Sequence, residues 1–118
     1  MALLKNQDVA YNLGMIEVFE LIKQQKCFMV STFDYKSQRF TFRVPYKLDY
    51  KFDGQYYCHE NEELDIFVRE AGVGEFIISF YEYFYVLWKE YAEADDKDLY
   101  GDALGLKKLL LNMCEVTK

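Results

Sequence analysis

The residues able to do chemistry in this chain are one histidine, His59, and three cysteines, Cys27, Cys58 and Cys114. A nucleophilic mechanism needs a base beside the nucleophile, and any Cys/His or Ser/His arrangement would have to use His59. Cys58 is its neighbour in sequence. Adjacent side chains of a strand point to opposite faces, so these two residues do not form a catalytic pair within a strand. We therefore predict no catalytic residues and expect a protein that is not an enzyme.

Metal and phosphate sites are not predicted either. Three scattered cysteines and one histidine lack the paired spacing of a zinc site. Residues 96–101 begin like a calcium loop, but Tyr100 stands at the fifth position and Lys107 at the twelfth, where a bidentate glutamate belongs. The run Gly72-Val73-Gly74 precedes a helix whose first turn already carries Glu75, which complements the helix dipole in place of a bound anion. We expect no cofactor and no metal.

Acidic residues are concentrated in two segments. The chain has a formal net charge of −6. Residues 59–75 hold six acids and one arginine, and residues 90–102 hold six acids and one lysine. Each segment therefore has a net charge of −5, and the rest of the chain has +4. A protein without a net basic field is poorly suited to hold a phosphate backbone, so we expect no direct binding of nucleic acid.

These acidic segments, with the tyrosines beside them, form the predicted binding surface. Complementary charge accelerates association with a basic partner. Tyrosine is enriched in interfaces because its ring is apolar and its hydroxyl forms hydrogen bonds. The alternative is that both segments are solvated faces that only maintain solubility. The predicted partner-binding residues are Glu60, Glu62, Glu63, Asp65, Asp95, Asp96, Asp98, Tyr56 and Tyr57.

Strands are predicted in the first half of the chain. An amphipathic helix is expected first, between Gln7 and Lys26, because its apolar residues recur at three and four. Alternation and β-branched content then predict four antiparallel strands. The dipeptide Asp53-Gly54 favours a two-residue type I′ turn, which would place Tyr50 opposite Tyr57. The predicted strands are Cys27–Phe33, Arg39–Tyr46 with Phe40, Phe42, Val44 and Tyr46 on one face, Leu48–Phe52, and Gln55–His59.

Helices are predicted in the second half. Beyond His59, Leu64, Phe67 and Val68 recur at helical spacing and favour a short helix that ends at Gly72 and Gly74. The same spacing favours a long central helix at about 75–92 and a last helix at about 102–113. The whole chain, 1–118, is expected to be a single domain. The predicted fold class is α+β, with an N-terminal helix, an antiparallel four-stranded meander and then three helices packed on one face.

The location of the protein is predicted from two further features. Residues 1–8 lack the charged and apolar regions of a signal peptide. The most apolar stretch, Phe76–Trp88, is shorter than the ~20 residues of a membrane helix. We expect a cytoplasmic protein with no membrane association and with reduced cysteines.

Two stretches near the carboxyl end resemble small bacterial immunity proteins, the partners of contact-dependent or polymorphic toxins. The first, WKEYAEADDKDL at 88–99, has an aromatic helix and an EYA-x-ADD turn, and the second, at 102–110, is a short Leu/Lys helix. Together they cover about a fifth of the chain, and Tyr100-Gly101 stands where a proline would be expected. The resemblance implies a cytosolic, non-catalytic protein that binds and blocks one toxin domain, often a nuclease. It assigns no role to any residue.

The sequence therefore predicts an immunity protein that neutralises a cognate toxin by covering a nuclease-like active site or a nucleic-acid-binding surface. Its partner would be a basic protein. Three alternatives stay open. One is a phage or mobile-element inhibitor of a host defence nuclease, of the anti-CRISPR type. Another is a small enzyme or ligand-binding domain whose pocket lies between helix and sheet, lined by aromatic residues and Cys58. The last is a structural subunit or homodimer.

Overall fold

The computed structural model describes residues 26–118, which contain six strands and two α-helices. The helix predicted between Gln7 and Lys26 lies outside the described residues, apart from Lys26 itself. The strands are β1 (Cys27–Tyr35), β2 (Gln38–Asp49), β3 (Lys51–Phe52), β4 (Tyr57–Asn61), β5 (Ile66–Glu70) and β6 (Cys114–Thr117). The helices are α1 (Val73–Leu87) and α2 (Asp102–Met113).

The strands divide into two antiparallel three-stranded sheets, ordered β1-β2-β6 and β3-β4-β5. This is an α+β architecture. The predicted arrangement is nevertheless wrong, because it placed four strands in one meander and followed them with three helices on one face. The chain leaves the first sheet at the end of β2 and enters the second sheet directly at β3.

The first sheet begins with a tight hairpin. Lys36 and Ser37 both have positive φ, at 50° and 66°, which is the backbone conformation of a type I′ turn. Tyr35 and Gln38 pair across it. The first two predicted strands are thus confirmed. The third strand of this sheet, β6, pairs with the other edge of β2 and was not predicted.

A large bulge interrupts β2 near Pro45. Val30 pairs with Tyr46 whereas Thr32 pairs with Thr41, so residues 42–45 lie opposite a single residue of β1. Bulges redirect side chains, and they tolerate proline because it has no N–H to contribute to the ladder. Val44 is 77% exposed, and the prediction that it faces the core is therefore wrong.

The turn between β3 and β4 is longer than predicted. The Asp53 carboxylate accepts hydrogen bonds from the backbone N–H groups of Gln55 (2.9 Å) and Tyr56 (2.8 Å), which is an Asx-type turn. Phe52 consequently pairs with Tyr57, so the predicted pairing of Tyr50 with Tyr57 is wrong by two positions. An even shift keeps every side chain on its predicted face, and the rings of Tyr50 and Tyr57 still lie 5.4 Å apart.

The short helix predicted beyond His59 is wrong, because residues 62–65 form a turn and residues 66–70 form strand β5. The Asn61 side chain accepts a hydrogen bond from the backbone N–H of Leu64 (3.1 Å), and Asp65 has a φ of 56°. Aspartate tolerates this left-handed conformation better than most residues. Beyond the turn, Ile66 and Val68 are buried and Phe67 is exposed, which is the two-residue period of a strand.

Helix α1 packs against both sheets. Phe76 contacts Tyr57 of the second sheet, with ring centroids 6.0 Å apart, and Phe84 contacts Phe42 of the first sheet at 5.0 Å. One π-helical turn, Trp88–Ala92, extends α1, so the predicted long helix is confirmed with this irregular end. The last predicted helix is confirmed as α2, which packs against the π-helical turn.

Arg43 attaches the end of α2 to the first sheet. Its guanidinium donates to the backbone carbonyls of Asn112 (2.9 Å) and Leu111 (3.1 Å) and forms an ion pair with Glu115. The last carbonyls of a helix have no partner within the helix, so this arginine satisfies two of them.

We expect Arg43→Ala to lower the free energy of unfolding by about 2 kcal/mol, because hydrogen bonds from a charged donor contribute more than neutral ones. Urea denaturation measures the change. The matched control is Arg39→Ala, which removes an exposed ion pair with Asp34 and should lower the free energy of unfolding clearly less, because water and salt screen exposed charges. Equal losses for the two variants would contradict the role assigned to Arg43.

Candidate functional site

The first acidic segment presents four carboxylates at the end of the β4–β5 hairpin. We call these the hairpin carboxylates: Glu60, Glu62, Glu63 and Asp65. All four residues are exposed, and none of the ion pairs or side-chain hydrogen bonds among the described residues involves their carboxylates. Their charge is therefore available to a partner.

The second acidic segment is partly neutralised by lysines of the same chain. Lys107 of α2 donates to the Asp96 carboxylate at 2.8 Å, and this hydrogen bond lowers the pKa of Asp96. Lys89 pairs with Glu93 at 3.1 Å. Asp95 and Asp98 are exposed. The carboxylates of Glu93 and Asp96 are thus already paired with lysines. The second acidic segment is therefore the weaker candidate for a partner-binding surface.

An open groove lies beside the hairpin carboxylates, between β5 and α1. We call it the edge groove, and its volume is about 550 Å³. Three apolar side chains on its walls remain solvent-accessible: Phe67 is 54% exposed, Tyr83 37% and Val86 43%. Glu60 lies directly opposite Phe67 in the ladder. The remaining lining residues are Val68, Arg69, Glu70, Ser79 and Glu82.

Two hydrogen bonds hold α1 beside β5 and so fix the walls of the edge groove. The Tyr83 hydroxyl donates to the backbone carbonyl of Asp65 (3.2 Å), and the Ser79 hydroxyl donates to the Glu70 carboxylate (2.8 Å). The first bond also connects α1 to the hairpin that carries the four carboxylates. Acidic and apolar groups therefore occupy one continuous surface.

The two predicted tyrosines are only half-buried but are engaged within the protein. The ring of Tyr56 lies under the Arg69 guanidinium at 3.8 Å, a cation–π contact. Tyr57 packs against Phe52 and Phe76, with centroid distances of 4.6 and 6.0 Å. Phe67 and Tyr83 line the edge groove and are exposed, and the sequence analysis selected neither of them.

His59 belongs to a buried network between the two sheets. Its Nε2 lies 2.8 Å from the Tyr46 hydroxyl, and its Nδ1 lies 2.6 Å from the backbone carbonyl and 2.9 Å from the carboxylate of Asp49. The Asn61 amide donates to the Tyr46 hydroxyl at 3.0 Å. Tyr46 and His59 are 6% and 4% exposed. Tyr46 and Asp49 belong to β2 and His59 and Asn61 to β4, so the network joins the sheets where the chain crosses between them.

Burial raises the pKa of Tyr46 to about 12. An unfolded tyrosine titrates near 10. The neutral phenol therefore contributes stability that is fully present below about pH 10 and is lost as the pH rises towards 12. Between pH 8 and pH 11 this loss should amount to about 1 kcal/mol. We expect Tyr46→Phe to lose about 1 kcal/mol less of its free energy of unfolding than wild type between pH 8 and pH 11, as measured by urea denaturation at both pH values. An equal loss in wild type and variant would contradict the role assigned to the Tyr46 phenol.

The cysteines are unpaired, as predicted. Cys58 is half-buried on the face of β4 opposite to His59, which confirms that the two side chains diverge. Cys114 is buried, and burial raises the pKa of its thiol to about 11. Within residues 26–118 there is no group of three or more His, Cys, Asp or Glu side chains that could hold a metal ion. No helix in that range is long and apolar enough to cross a membrane.

Fold and surface together define an α+β protein that presents free carboxylates beside an apolar groove. No protein-family model matches this chain, and no curated protein and no solved structure shows significant similarity to it. The resemblance to immunity proteins therefore stays a prediction, and the function has to be argued from the surface itself.

Proposed function

We propose that this protein binds a basic protein toxin in the cytoplasm and neutralises it without catalysis, by covering a nuclease-like active site or nucleic-acid-binding surface. The observation that carries the proposal is the placement of four exposed carboxylates, unpaired within residues 26–118, beside the exposed edge groove. Asp96 is already paired with Lys107, and paired charge cannot serve a partner equally well. Asp95 and Asp98 are exposed, but they do not lie beside the edge groove as the hairpin carboxylates do, so the hairpin carboxylates are favoured.

The two parts of this surface contribute differently to binding. Exposed carboxylates at a rim accelerate encounter with a basic protein and reject acidic ones. Phe67 and Tyr83 supply the apolar area that, once desolvated, provides most of the affinity of an interface. A basic surface that binds nucleic acid carries lysine and arginine for phosphate, and carboxylates with nearby aromatic rings are complementary to it.

The direct test is to co-express the chain with each product of its neighbouring genes, purify any complex and assay the bound protein. The expected result is a basic protein whose nuclease or other toxic activity is lost at equimolar amounts of this chain and returns on dissociation. A neighbour that binds and keeps full activity, or full toxicity of every neighbouring product in the presence of this chain, would contradict the proposal.

A further inference from the structure

One edge of strand β5 pairs with no other strand among the described residues, and α1 engages this edge at Asp65, whose backbone carbonyl accepts a hydrogen bond from Tyr83. The strand lies at the end of the β3-β4-β5 sheet, and within the described part of the chain it pairs only with β4. Natural proteins normally protect such edges with lysine, proline or a covering element. Here the middle of the strand carries the exposed Phe67, and the edge groove runs along it.

The ladder shows which backbone groups point to this edge. The backbone N–H of Asp53 donates to the carbonyl of Tyr56 (3.2 Å), so Tyr56 directs its backbone groups towards β3. Cys58 lies two positions further along β4 and pairs with Lys51 of β3. Successive residues of a strand direct their backbone N–H and C=O groups to opposite neighbouring strands. The backbone groups of Cys58 therefore point to β3, whereas those of Tyr57, His59 and Asn61 point to β5.

His59 pairs with Val68. Val68 and its alternates in β5 therefore direct their backbone groups towards β4. The N–H and C=O groups of Phe67 and Arg69 consequently point away from the sheet, into the edge groove. They are the groups that an additional strand would pair with.

The walls of the groove offer chemistry that suits such a strand. Helix α1 forms its second wall, and Tyr83 and Val86 present apolar surface there. Glu70 and Glu82 add carboxylates to the lining, where Glu70 accepts a hydrogen bond from Ser79 and Glu82 one from Tyr35. Arg69 is the one cation among the lining residues, and it lies over the ring of Tyr56. The hairpin carboxylates lie at the end of β5. A strand that alternates apolar and basic residues fits these walls, because its apolar side chains contact Tyr83 and Val86 while its lysines meet carboxylates.

We propose that the edge groove binds an extended, basic segment of the partner, which adds to β5 as a fourth strand of the second sheet. This inference rests on the proposed function and specifies how the partner is held. Backbone hydrogen bonds to Phe67 and Arg69 would supply affinity that does not depend on sequence, and the walls of the groove would supply selectivity, as in other cases of strand addition.

A peptide of about eight alternating valines and lysines tests the proposal. Its control has the same sequence with every backbone amide N-methylated, so that it cannot donate hydrogen bonds. We expect the unmodified peptide to bind wild-type protein at least about tenfold more tightly in calorimetry. In amide exchange monitored by NMR, the N–H groups of Phe67 and Arg69 should gain protection, whereas that of Val68, already paired with β4, should not. Equal binding of the two peptides, or no binding, would overturn strand addition.

Two variants at one position separate the ring from the backbone. Phe67→Ala removes the aromatic side chain, and Phe67→Pro removes both the side chain and the outward N–H. Loss of the ring should weaken peptide binding about tenfold, and proline should weaken it about tenfold more. If both variants bind equally, the backbone of Phe67 is not used. Should the proline variant unfold, the N-methylated peptide still decides the question.

The outcomes distinguish this inference from the proposed function. Neutralisation of a toxin with no role for the β5 backbone would overturn strand addition alone. Peptide binding at β5 without neutralisation of any neighbouring product would overturn the proposed function alone. A dimer of this chain that Phe67→Pro dissociates, seen by concentration-dependent light scattering, would show a second copy on the edge and overturn a partner segment as its occupant.

Discussion

Replacing Glu60, Glu62 and Glu63 by lysine is expected to slow association with the neutralised toxin by about two orders of magnitude at low salt. The three carboxylates are exposed and unpaired among the described residues, so their reversal changes the field that the partner meets without breaking an internal contact. Because salt screens exposed charges, the difference from wild type should shrink markedly near 1 M salt. Stopped-flow or surface-plasmon measurements of the association rate provide the readout.

The matched control changes the net charge equally in the other acidic segment. Glu90, Asp95 and Asp98 are exposed and form none of the ion pairs described above. Their replacement by lysine should slow association less than about fivefold, since a more distant charge contributes less to steering. A control that slows association as much as the hairpin variant would show that total charge matters and that the hairpin has no special role.

Phe84→Ala is expected to lower the free energy of unfolding by about 3–5 kcal/mol. Phe84 is fully buried, and its ring lies 6.1 Å from Phe40, 5.0 Å from Phe42 and 6.1 Å from Phe80. Its removal leaves a cavity where α1 meets the first sheet. Such a loss approaches the total stability of many small domains.

The control for this variant lies on the same helix. Ile78 is 60% exposed, so Ile78→Ala should change the free energy of unfolding by about 0.5 kcal/mol or less. Urea denaturation of both variants at one pH gives the comparison. Similar losses at the two positions would contradict the packing of α1 through Phe84.

The parts of the fold with unambiguous local signals could be predicted from the sequence. Helices α1 and α2 and the β1–β2 hairpin have strong periodicity or turn residues, and they form as expected. Strand β5 could not be recognised from Leu64, Phe67 and Val68, whose spacing fits a helix. The turn at Asn61–Asp65 and the pairing with β4 decide this segment, and both depend on contacts outside it. The division into two sheets follows from the bulge at Pro45 and from the passage of the chain from the first sheet to the second at Tyr50. The hydrophobic periodicity of the sequence shows neither of these features.

The binding surface could be predicted only in part. The sequence places acidic residues in two segments and indicates that they are exposed. It does not show that Lys107 pairs with Asp96, 11 positions earlier in the chain, or that the carboxylates of the first segment are unpaired among the described residues. Phe67 was missed because a residue assigned to the apolar face of a helix is expected to be buried. The available signal was the alternation of Leu64, Ile66 and Val68 with the polar Asp65 and Arg69, because this period of two places Phe67 on the polar, outward face.

The most direct measurement is hydrogen–deuterium exchange of this chain, free and in complex with the toxin that it neutralises. The proposed surface predicts slower exchange in the complex at residues 60–70, strongest at Phe67 and Arg69, together with protection of α1 around Tyr83. Residues 95–98 should exchange equally in both states. Protection confined to residues 95–98 or to the first sheet, with β5 unchanged, would contradict the assignment of the binding surface.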